Sequence, residues 1–296
     1  MCPRKCHVSR EDTLGFCGAP STVKVSLASL FLFEEPIISG EEKNGIKPTG
    51  SGAIFFSHCN LKCCYCQNSE ISAGGAGKEI TIKHLAEIFK KLESAGAYNI
   101  NLVTPTHYTD QIIEALKIYK PKIPIIWNTS GYDDPEVIKK LEGYVDIFLT
   151  DFKYISGGPA KKYSSAENYP EIAKKSILMM RKIVPDDFIE NGLMKKGIII
   201  RHLVLPGQTK DSLAVIDWIN KNLGNKTYVS LMAQYTPMAN AKLYPEINRK
   251  IKPIEYKILI NRLTELGFCN VFLQDLDSAT SSYTPDFLNQ KSDIEI

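Results

Sequence analysis

Cysteine is concentrated near the start of this chain. Of its eight cysteines, seven lie within the first 66 residues. Cys59, Cys63 and Cys66 have the spacing C-x3-C-x2-C and directly follow a hydrophobic run that predicts a strand. Three thiolates on one loop, with no fourth at a matching position, favour a [4Fe-4S] cluster in which one iron keeps an open coordination site. A structural zinc site would need four protein ligands.

A second group of cysteines precedes this loop. Cys2, Cys6 and Cys17, with His7 next to Cys6, are residue types that bind zinc or a second iron-sulfur cluster. They are also consistent with three reduced thiols in a flexible segment. Cys64 is expected to be a packed neighbour of the first site and not a ligand. We therefore predict one cluster site and, before it, a candidate second metal site.

The cysteine loop resembles that of the radical S-adenosylmethionine (SAM) superfamily, in which an aromatic residue precedes the last cysteine, as Tyr65 does here. Further segments are similar, in order, to the branch of pyruvate formate-lyase activating enzyme homologues: CPRKC, EEPIISG, GSGAIFFSHCNLKCCYCQN, NINLVTPTHY, NTSGY, DFKY, RHLVLPG and QYTP. The resemblance implies that SAM binds the open iron. Its reductive cleavage then yields methionine and a 5′-deoxyadenosyl radical, which abstracts hydrogen from a substrate.

The elements that position these segments alternate between short β-branched or aromatic runs and helical patterns, which is typical of repeated βα units. Strands are predicted at residues 51–57, 98–104, 123–129, 145–152, 197–205, 227–234 and 270–274. We therefore predict an α/β fold, a partial (βα)6 TIM-like barrel at residues 51–275, with its active site at the carboxyl ends of the strands. An open doubly wound sheet is the alternative, but no G-x-G-x-x-G segment follows a predicted strand.

Capping signals predict where three of the helices begin. Thr81 and Asp110 are each predicted to cap a helix, and Pro135, which follows Asp134, is predicted to lie near the first position of a third helix. Further helices are predicted at about residues 170–184, 211–222 and 253–266. Residues 1–50 are predicted to be a short cysteine-containing N-terminal extension, and residues 276–296 a loosely attached C-terminal tail.

The resemblance also suggests which side chains contact SAM. Activating enzymes carry a GGEP segment after the second strand, where this chain has Thr104, Pro105, Thr106 and His107. Threonine hydroxyls and backbone carbonyls could bind the SAM amino group instead. NTS and DFK, after the third and fourth strands, resemble the DTNG and DLK segments of those enzymes. The candidate cofactor-binding residues are Thr104, Thr106, Asn128, Thr129, Asp151, Lys153, Arg201, His202 and Gln234.

Several of these residues have an alternative interpretation. Asp151 and Lys153 share one strand face, from which they can reach ribose hydroxyls and the SAM carboxylate, but a surface ion pair is also consistent with their positions. Arg201 and His202 point to opposite faces of one strand, so only one is expected to enter the barrel. Tyr235, after Gln234, either contacts the cofactor or packs at the barrel rim.

Composition narrows the class of partner. Lys plus Arg is 36 and Asp plus Glu is 33, a net charge of +3, which gives no reason to expect a nucleic acid or an anionic membrane. The best apolar stretch, residues 25–33, is shorter than the ~20 residues of a membrane span. No secretory signal follows Met1, so a cytoplasmic location is expected.

These observations predict a radical SAM enzyme that acts on a protein or peptide, as glycyl radical enzyme activases do. A flavodoxin or ferredoxin is expected to be the reductant. Modification of a small molecule or RNA remains an alternative, as does a non-catalytic iron-sulfur or zinc-binding protein.

Overall fold

The computed structural model describes residues 2–279, 285–287 and 292–296. Within these residues the chain forms ten strands and nine α-helices. The strands are β1 Val23–Phe31, β2 Ser51–Phe56, β3 Lys78–Ile80, β4 Ile100–Val103, β5 Ile125–Thr129, β6 Ile147–Asp151, β7 Phe188–Glu190, β8 Leu193–Leu203, β9 Tyr228–Met232 and β10 Val271–Leu273. The helices are α1 Pro36–Ser39, α2 Ser69–Ser72, α3 Ile82–Ser94, α4 Thr109–Ile118, α5 Pro135–Lys139, α6 Gly157–Ser164, α7 Tyr169–Ile183, α8 Thr209–Leu223 and α9 Pro253–Glu265.

The strands form one curved sheet in the order β10-β9-β8-β6-β5-β4-β2-β1-β3, and β7 pairs with β8. From β2 to β10 along this order every pairing is parallel. Crossover helices are required between parallel neighbours, and they cover one face of the sheet. This arrangement confirms the predicted α/β fold and its partial TIM-like barrel.

The strand β2 shows how the sequence builds two layers. All six of its residues are buried, as expected for a parallel strand that is covered on both faces. Ile54 and Phe56 belong to the core between the sheet and the helices. Phe55 points the opposite way and lines the barrel interior. The alternation therefore gives this strand one face toward the helices and one toward the barrel interior, and at its carboxyl end Phe56 also reaches the cavity wall.

The helix boundaries follow local capping signals in two of the three predicted cases. Thr81 Oγ1 accepts the His84 N–H at 3.1 Å, and Asp134 caps the helix that begins at Pro135. The prediction for Asp110 was wrong. The helix α4 begins at Thr109, so Asp110 lies within its first turn and not before it, and its side chain pairs with Lys140 at 2.9 Å.

The sequence analysis did not predict β1, which lies within the segment treated as an N-terminal extension. This strand pairs with β2 in the antiparallel sense, and Phe31 is opposite Ser51. Because Ser51 begins β2, the residues that follow β1 reach the amino-terminal end of the barrel. There the backbone carbonyl of Ile38, in α1, accepts the Asn99 side-chain amide at 2.8 Å. The segment from residue 32 to residue 39 thus closes this end of the barrel.

Parts of the predicted C-terminal tail contact the first two strands. The Phe287 ring makes an edge contact with Phe55, with centroids 5.3 Å apart, and the Ile294 N–H donates to the Ala28 carbonyl at 3.2 Å. Residues 280–284 and 288–291 of that tail lie outside the described residues. The domain boundaries at residues 50 and 275 stay predictions.

Candidate functional site

A cavity of about 690 Å³ lies inside the barrel at the carboxyl ends of the strands. Its wall includes the three cysteines of the C-x3-C-x2-C loop, which follows β2. Seven of the nine predicted cofactor-binding residues also line it: Thr104, Asn128, Thr129, Asp151, Lys153, Arg201 and Gln234. These seven residues come from the carboxyl ends of five strands, β4, β5, β6, β8 and β9, and meet only because the sheet curves.

The cysteine loop presents its sulfurs to this cavity. Cys59 Sγ accepts the Leu61 N–H at 3.4 Å, and Ser164 Oγ donates to Cys63 Sγ at 3.0 Å. Burial raises the pKa of the Cys59 and Cys63 thiols, so metal binding must displace their protons. Cys64 lies outside the cavity wall, and burial raises its pKa to about 12. Three thiols on one cavity wall fit a [4Fe-4S] cluster with one open iron.

Asp151 and Lys153 form an ion pair on the cavity wall, and both side chains are largely buried. Burial lowers the pKa of Lys153, but Asp151 and Cys63 raise it by more, so the net shift is upward. The ammonium group therefore stays charged. It is suited to an anionic or hydroxyl group of a ligand, as the sequence analysis expected, and the pair is not a surface feature.

The loops after β4 and β5 are joined by a buried carboxylate that the sequence analysis missed. Asp133 accepts hydrogen bonds from Thr106 Oγ1 and Thr129 Oγ1, both at 2.6 Å. Thr106 thus points to Asp133 and is absent from the cavity wall, so its predicted contact with SAM is not supported. Burial raises the pKa of Asp133 although both threonines lower it. Its place in NTSGYDD was the signal available in the sequence.

Thr104 has an unusual backbone conformation. Its φ is +61°, in the left-handed region that β-branched residues rarely adopt. Its N–H donates to the Asn128 carbonyl at 2.9 Å, which holds this strand end against β5. The strained position lies on the cavity wall, where local strain is typical of ligand sites.

Arg201 and His202 lie on opposite faces of β8, as predicted. Arg201 faces the cavity and binds both Glu34 and Glu35, from the segment that closes the barrel. His202 is buried on the helix side, where its nitrogens lie 2.7 Å from the Phe152 carbonyl and 2.9 Å from Ser212 Oγ. His202 is absent from the cavity wall, so its predicted contact with the cofactor is not supported, because alternate strand residues face opposite layers.

The two glutamates belong to the site and were not predicted as site residues. Both line the cavity, and Glu34 also accepts the Asn101 side-chain amide at 2.7 Å. Burial raises the pKa of Glu35, whereas Arg201 lowers it by more, so the net shift is downward. The EEP segment was the available signal, although its distance along the chain from β8 hid the contact.

Of the two candidate residues after β9, one lines the cavity and the other is packed away from it. Gln234 lines the cavity and accepts the Gln274 side-chain amide at 3.1 Å. Tyr235 directs its hydroxyl to the Ile247 carbonyl at 2.8 Å and packs edge-on against Tyr65. It is a packed residue of the rim. His107 is also buried, with Nε2 2.7 Å from the Ser57 carbonyl, and does not line the cavity.

The amino-terminal cysteines are not part of the cavity wall. Cys6 Sγ accepts the Phe16 N–H at 3.3 Å, and Cys17 Sγ accepts the Ala19 N–H at 3.4 Å. Arg4 ties this segment to the loop through Nε and the Asn60 carbonyl, 2.8 Å apart. Within the part of the chain that the structure describes, no three His, Cys, Asp or Glu side chains are arranged to hold a metal ion. That finding concerns several ligands around one ion, whereas each cysteine of a [4Fe-4S] cluster binds a different iron, so it does not test the cluster loop. A second metal stays a prediction.

The curved parallel sheet and its cysteine-lined cavity define the class of a SAM-dependent radical enzyme. The chain belongs to the radical SAM superfamily, whose model matches residues 53–219. Membership implies an enzyme with a [4Fe-4S] cluster and SAM. None of the helices in the described ranges is long and apolar enough to cross a membrane.

Two curated relatives extend the similarity beyond that region. Uncharacterized protein MJ0674 of Methanocaldococcus jannaschii is 33% identical over 261 residues, which are 85% of this chain and 70% of the relative. Pyruvate formate-lyase-activating enzyme of Clostridium pasteurianum is 27% identical over 219 residues, 68% of this chain and 82% of the relative. This similarity supports the activating-enzyme branch.

Solved structures share the fold. SuiB of Streptococcus suis bound to the precursor peptide SuiA has a TM-score of 0.51 and 14% identity, and the match covers 75% of this chain. HydG, a maturase of the [FeFe]-hydrogenase, has a TM-score of 0.50 and 13% identity over 73% of this chain. The chain spans 48% of the length of each of these two structures.

Proposed function

We propose that this enzyme abstracts hydrogen from a protein or peptide, in the manner of a glycyl radical enzyme activase. The observation that carries the proposal is that the three cysteines of the cluster loop and seven of the predicted cofactor-binding residues line the same cavity. The sequence similarity to pyruvate formate-lyase-activating enzyme favours a macromolecular substrate. When bound, the cluster and SAM would supply a 5′-deoxyadenosyl radical to the cavity.

The chain's own residues have distinct tasks in this proposal. Cys59, Cys63 and Cys66 bind iron as thiolates. Lys153, held by Asp151, binds the carboxylate or a ribose hydroxyl of SAM, and the backbone carbonyl of Thr104 accepts from its amino group. Aromatic side chains on the cavity wall exclude water, which protects a radical from quenching. They include Phe31, Phe55, Phe56 and Phe272.

The size of the cavity sets how a macromolecular substrate would enter. A volume of about 690 Å³ is within the range of sites for one drug-sized ligand. With SAM bound, the remaining space admits a side chain or a narrow loop and not a folded domain. We therefore propose that the substrate presents a flexible segment whose reactive C–H bond enters the cavity.

The reductant is proposed to dock next to the cysteine loop. Lys5 and Lys62 are exposed there, so the surface suits an acidic one-electron carrier of the flavodoxin or ferredoxin class.

A structural metal at Cys2, Cys6 and Cys17 is proposed as a further cofactor. The N–H to sulfur contacts in this segment support it, because metal-bound thiolates accept such bonds.

The test is an anaerobic reconstitution followed by reduction with dithionite in the presence of SAM. Formation of 5′-deoxyadenosine that is absent from Cys63→Ala supports radical chemistry, and its absence from the wild type would overturn it. Deuterium transfer from a labelled glycyl radical enzyme or peptide into 5′-deoxyadenosine would support the substrate class. Transfer from labelled small molecules or RNA alone would contradict it.

A further inference from the structure

Three hydroxyl groups form a continuous hydrogen-bond chain that ends on the Cys63 sulfur. The Tyr65 and Tyr154 hydroxyl oxygens are 2.6 Å apart, Tyr154 and Ser164 are 2.8 Å apart, and Ser164 Oγ is 3.0 Å from Cys63 Sγ. Tyr65, Tyr154 and Ser164 are 5%, 1% and 0% exposed. Because water is excluded, these bonds are electrostatically stronger than they would be in solvent.

The direction of this chain follows from counting protons. A metal-bound thiolate has no proton, so Cys63 can only accept. Each hydroxyl has one proton to donate. Ser164 donates its proton to Cys63 and therefore accepts from Tyr154, which in turn accepts from Tyr65. All three O–H dipoles point toward the sulfur, and each one polarises the next.

The backbone holds Ser164 in register with the cysteine loop. The Cys64 N–H donates to the Tyr163 carbonyl at 2.8 Å, which joins the loop to the last turn of α6. Ser165, next in the chain, has a left-handed φ of +53° and ends that helix. The hydroxyl is therefore fixed beside Cys63 by structure on both sides of the contact.

We propose that Ser164 is a positioning residue that raises the reduction potential of the family's [4Fe-4S] cluster, with Tyr154 and Tyr65 strengthening its effect. Reduction adds one electron and one negative charge to the cluster, and a hydrogen bond to a ligand sulfur stabilises that charge. No covalent bond changes in this step. The proposal goes beyond the proposed function, because it applies whichever substrate the enzyme takes.

The experiment is a redox titration of the reconstituted protein without SAM, followed by the electron paramagnetic resonance signal of the reduced cluster. Ser164→Ala removes a hydrogen bond to a charged group. The equilibrium constant for one-electron reduction should then fall by about tenfold, a shift of about 59 mV to more negative potential. Tyr154→Phe, which leaves Ser164 as a donor, should give a smaller negative shift. Tyr65→Phe should give a smaller one again.

Tyr132→Phe is the matched control. Its hydroxyl is also in a buried tyrosine, but it donates to Asn168 at 2.7 Å and not to the chain that reaches Cys63. Its potential should equal that of the wild type. An unchanged potential in Ser164→Ala with full iron content would overturn the proposal, as would an equal shift in Tyr132→Phe. If Ser164→Ala fails to retain iron, an unchanged potential in Tyr154→Phe would overturn it instead.

Discussion

Arg201 balances two buried carboxylates, and its removal gives the sharpest test of how the barrel is closed. Its Nε donates to Glu35 at 2.8 Å, and its Nη2 donates to Glu35 at 2.6 Å and also to Glu34. The side chains of Arg201, Glu34 and Glu35 are 13%, 7% and 6% exposed. In Arg201→Met a side chain of similar length remains, but the cation and three hydrogen bonds are lost.

The expected loss of stability is large because charged groups stay behind without a partner. Removing one member of a buried ion pair costs about 3–5 kcal/mol. With an m value of about 3 kcal/mol per molar urea, the unfolding midpoint should fall by about 1–1.7 M. In contrast, the triple variant Glu34→Gln, Glu35→Gln, Arg201→Met leaves no buried charge at this position. It should recover most of the lost stability.

The effect should also depend on pH. In the wild type the pKa of Glu35 is lowered from 4.5, so its stabilising contribution is complete above that value and is lost as the pH falls through the lowered pKa. In Arg201→Met burial is no longer offset by the guanidinium, so the pKa of Glu35 rises. The folded variant then binds protons more readily than the unfolded chain. Lower pH should therefore stabilise the variant relative to the wild type.

The assay is urea unfolding of anaerobically reconstituted protein, followed by far-ultraviolet circular dichroism at pH 6 and pH 8. The difference between wild type and Arg201→Met should be larger at pH 8. A loss below about 1 kcal/mol, the value of an exposed ion pair, would refute the reasoning. Equal losses at the two pH values would also refute it.

Three further outcomes are expected. Cys63→Ala should lose iron and SAM cleavage because it removes a cluster thiolate, whereas Cys269→Ala should keep both. Iron analysis and 5′-deoxyadenosine formation measure these outcomes. An active Cys63→Ala would contradict the cluster assignment. Thr104→Gly should keep or raise the free energy of unfolding by up to about 1 kcal/mol, since glycine adopts positive φ without strain, and a clear loss in urea would contradict it. Replacing Cys2, Cys6 and Cys17 together by Ser should lower the zinc content and the urea midpoint more than it lowers SAM cleavage. Unchanged zinc and iron contents would show that these three thiols bind no metal.

Features that depend on neighbouring residues could be predicted from the sequence. The spacing of Cys59, Cys63 and Cys66 predicted that one loop brings three thiols together, and the structure places all three on one cavity wall. Each predicted strand also overlaps an observed one. The caps at Thr81 and Asp134 were also predicted, because a cap bonds an N–H only two or three residues away. In such cases the interacting groups lie within one turn or one strand, so their spacing in the sequence is enough to predict the contact.

Contacts between residues that are far apart in the sequence were decided by the tertiary structure alone. Arg201 meets Glu35 across 166 positions, and Ser164 meets Cys63 across 101. The sequence separation of these partners carries no signal, since their contact exists only after β1 pairs with β2 and the sheet curves. The same holds for Thr106, whose hydroxyl donates to the buried Asp133, 27 positions further along the chain. Periodicity specifies which side of an element is apolar, whereas burial against distant segments determines which polar side chains meet.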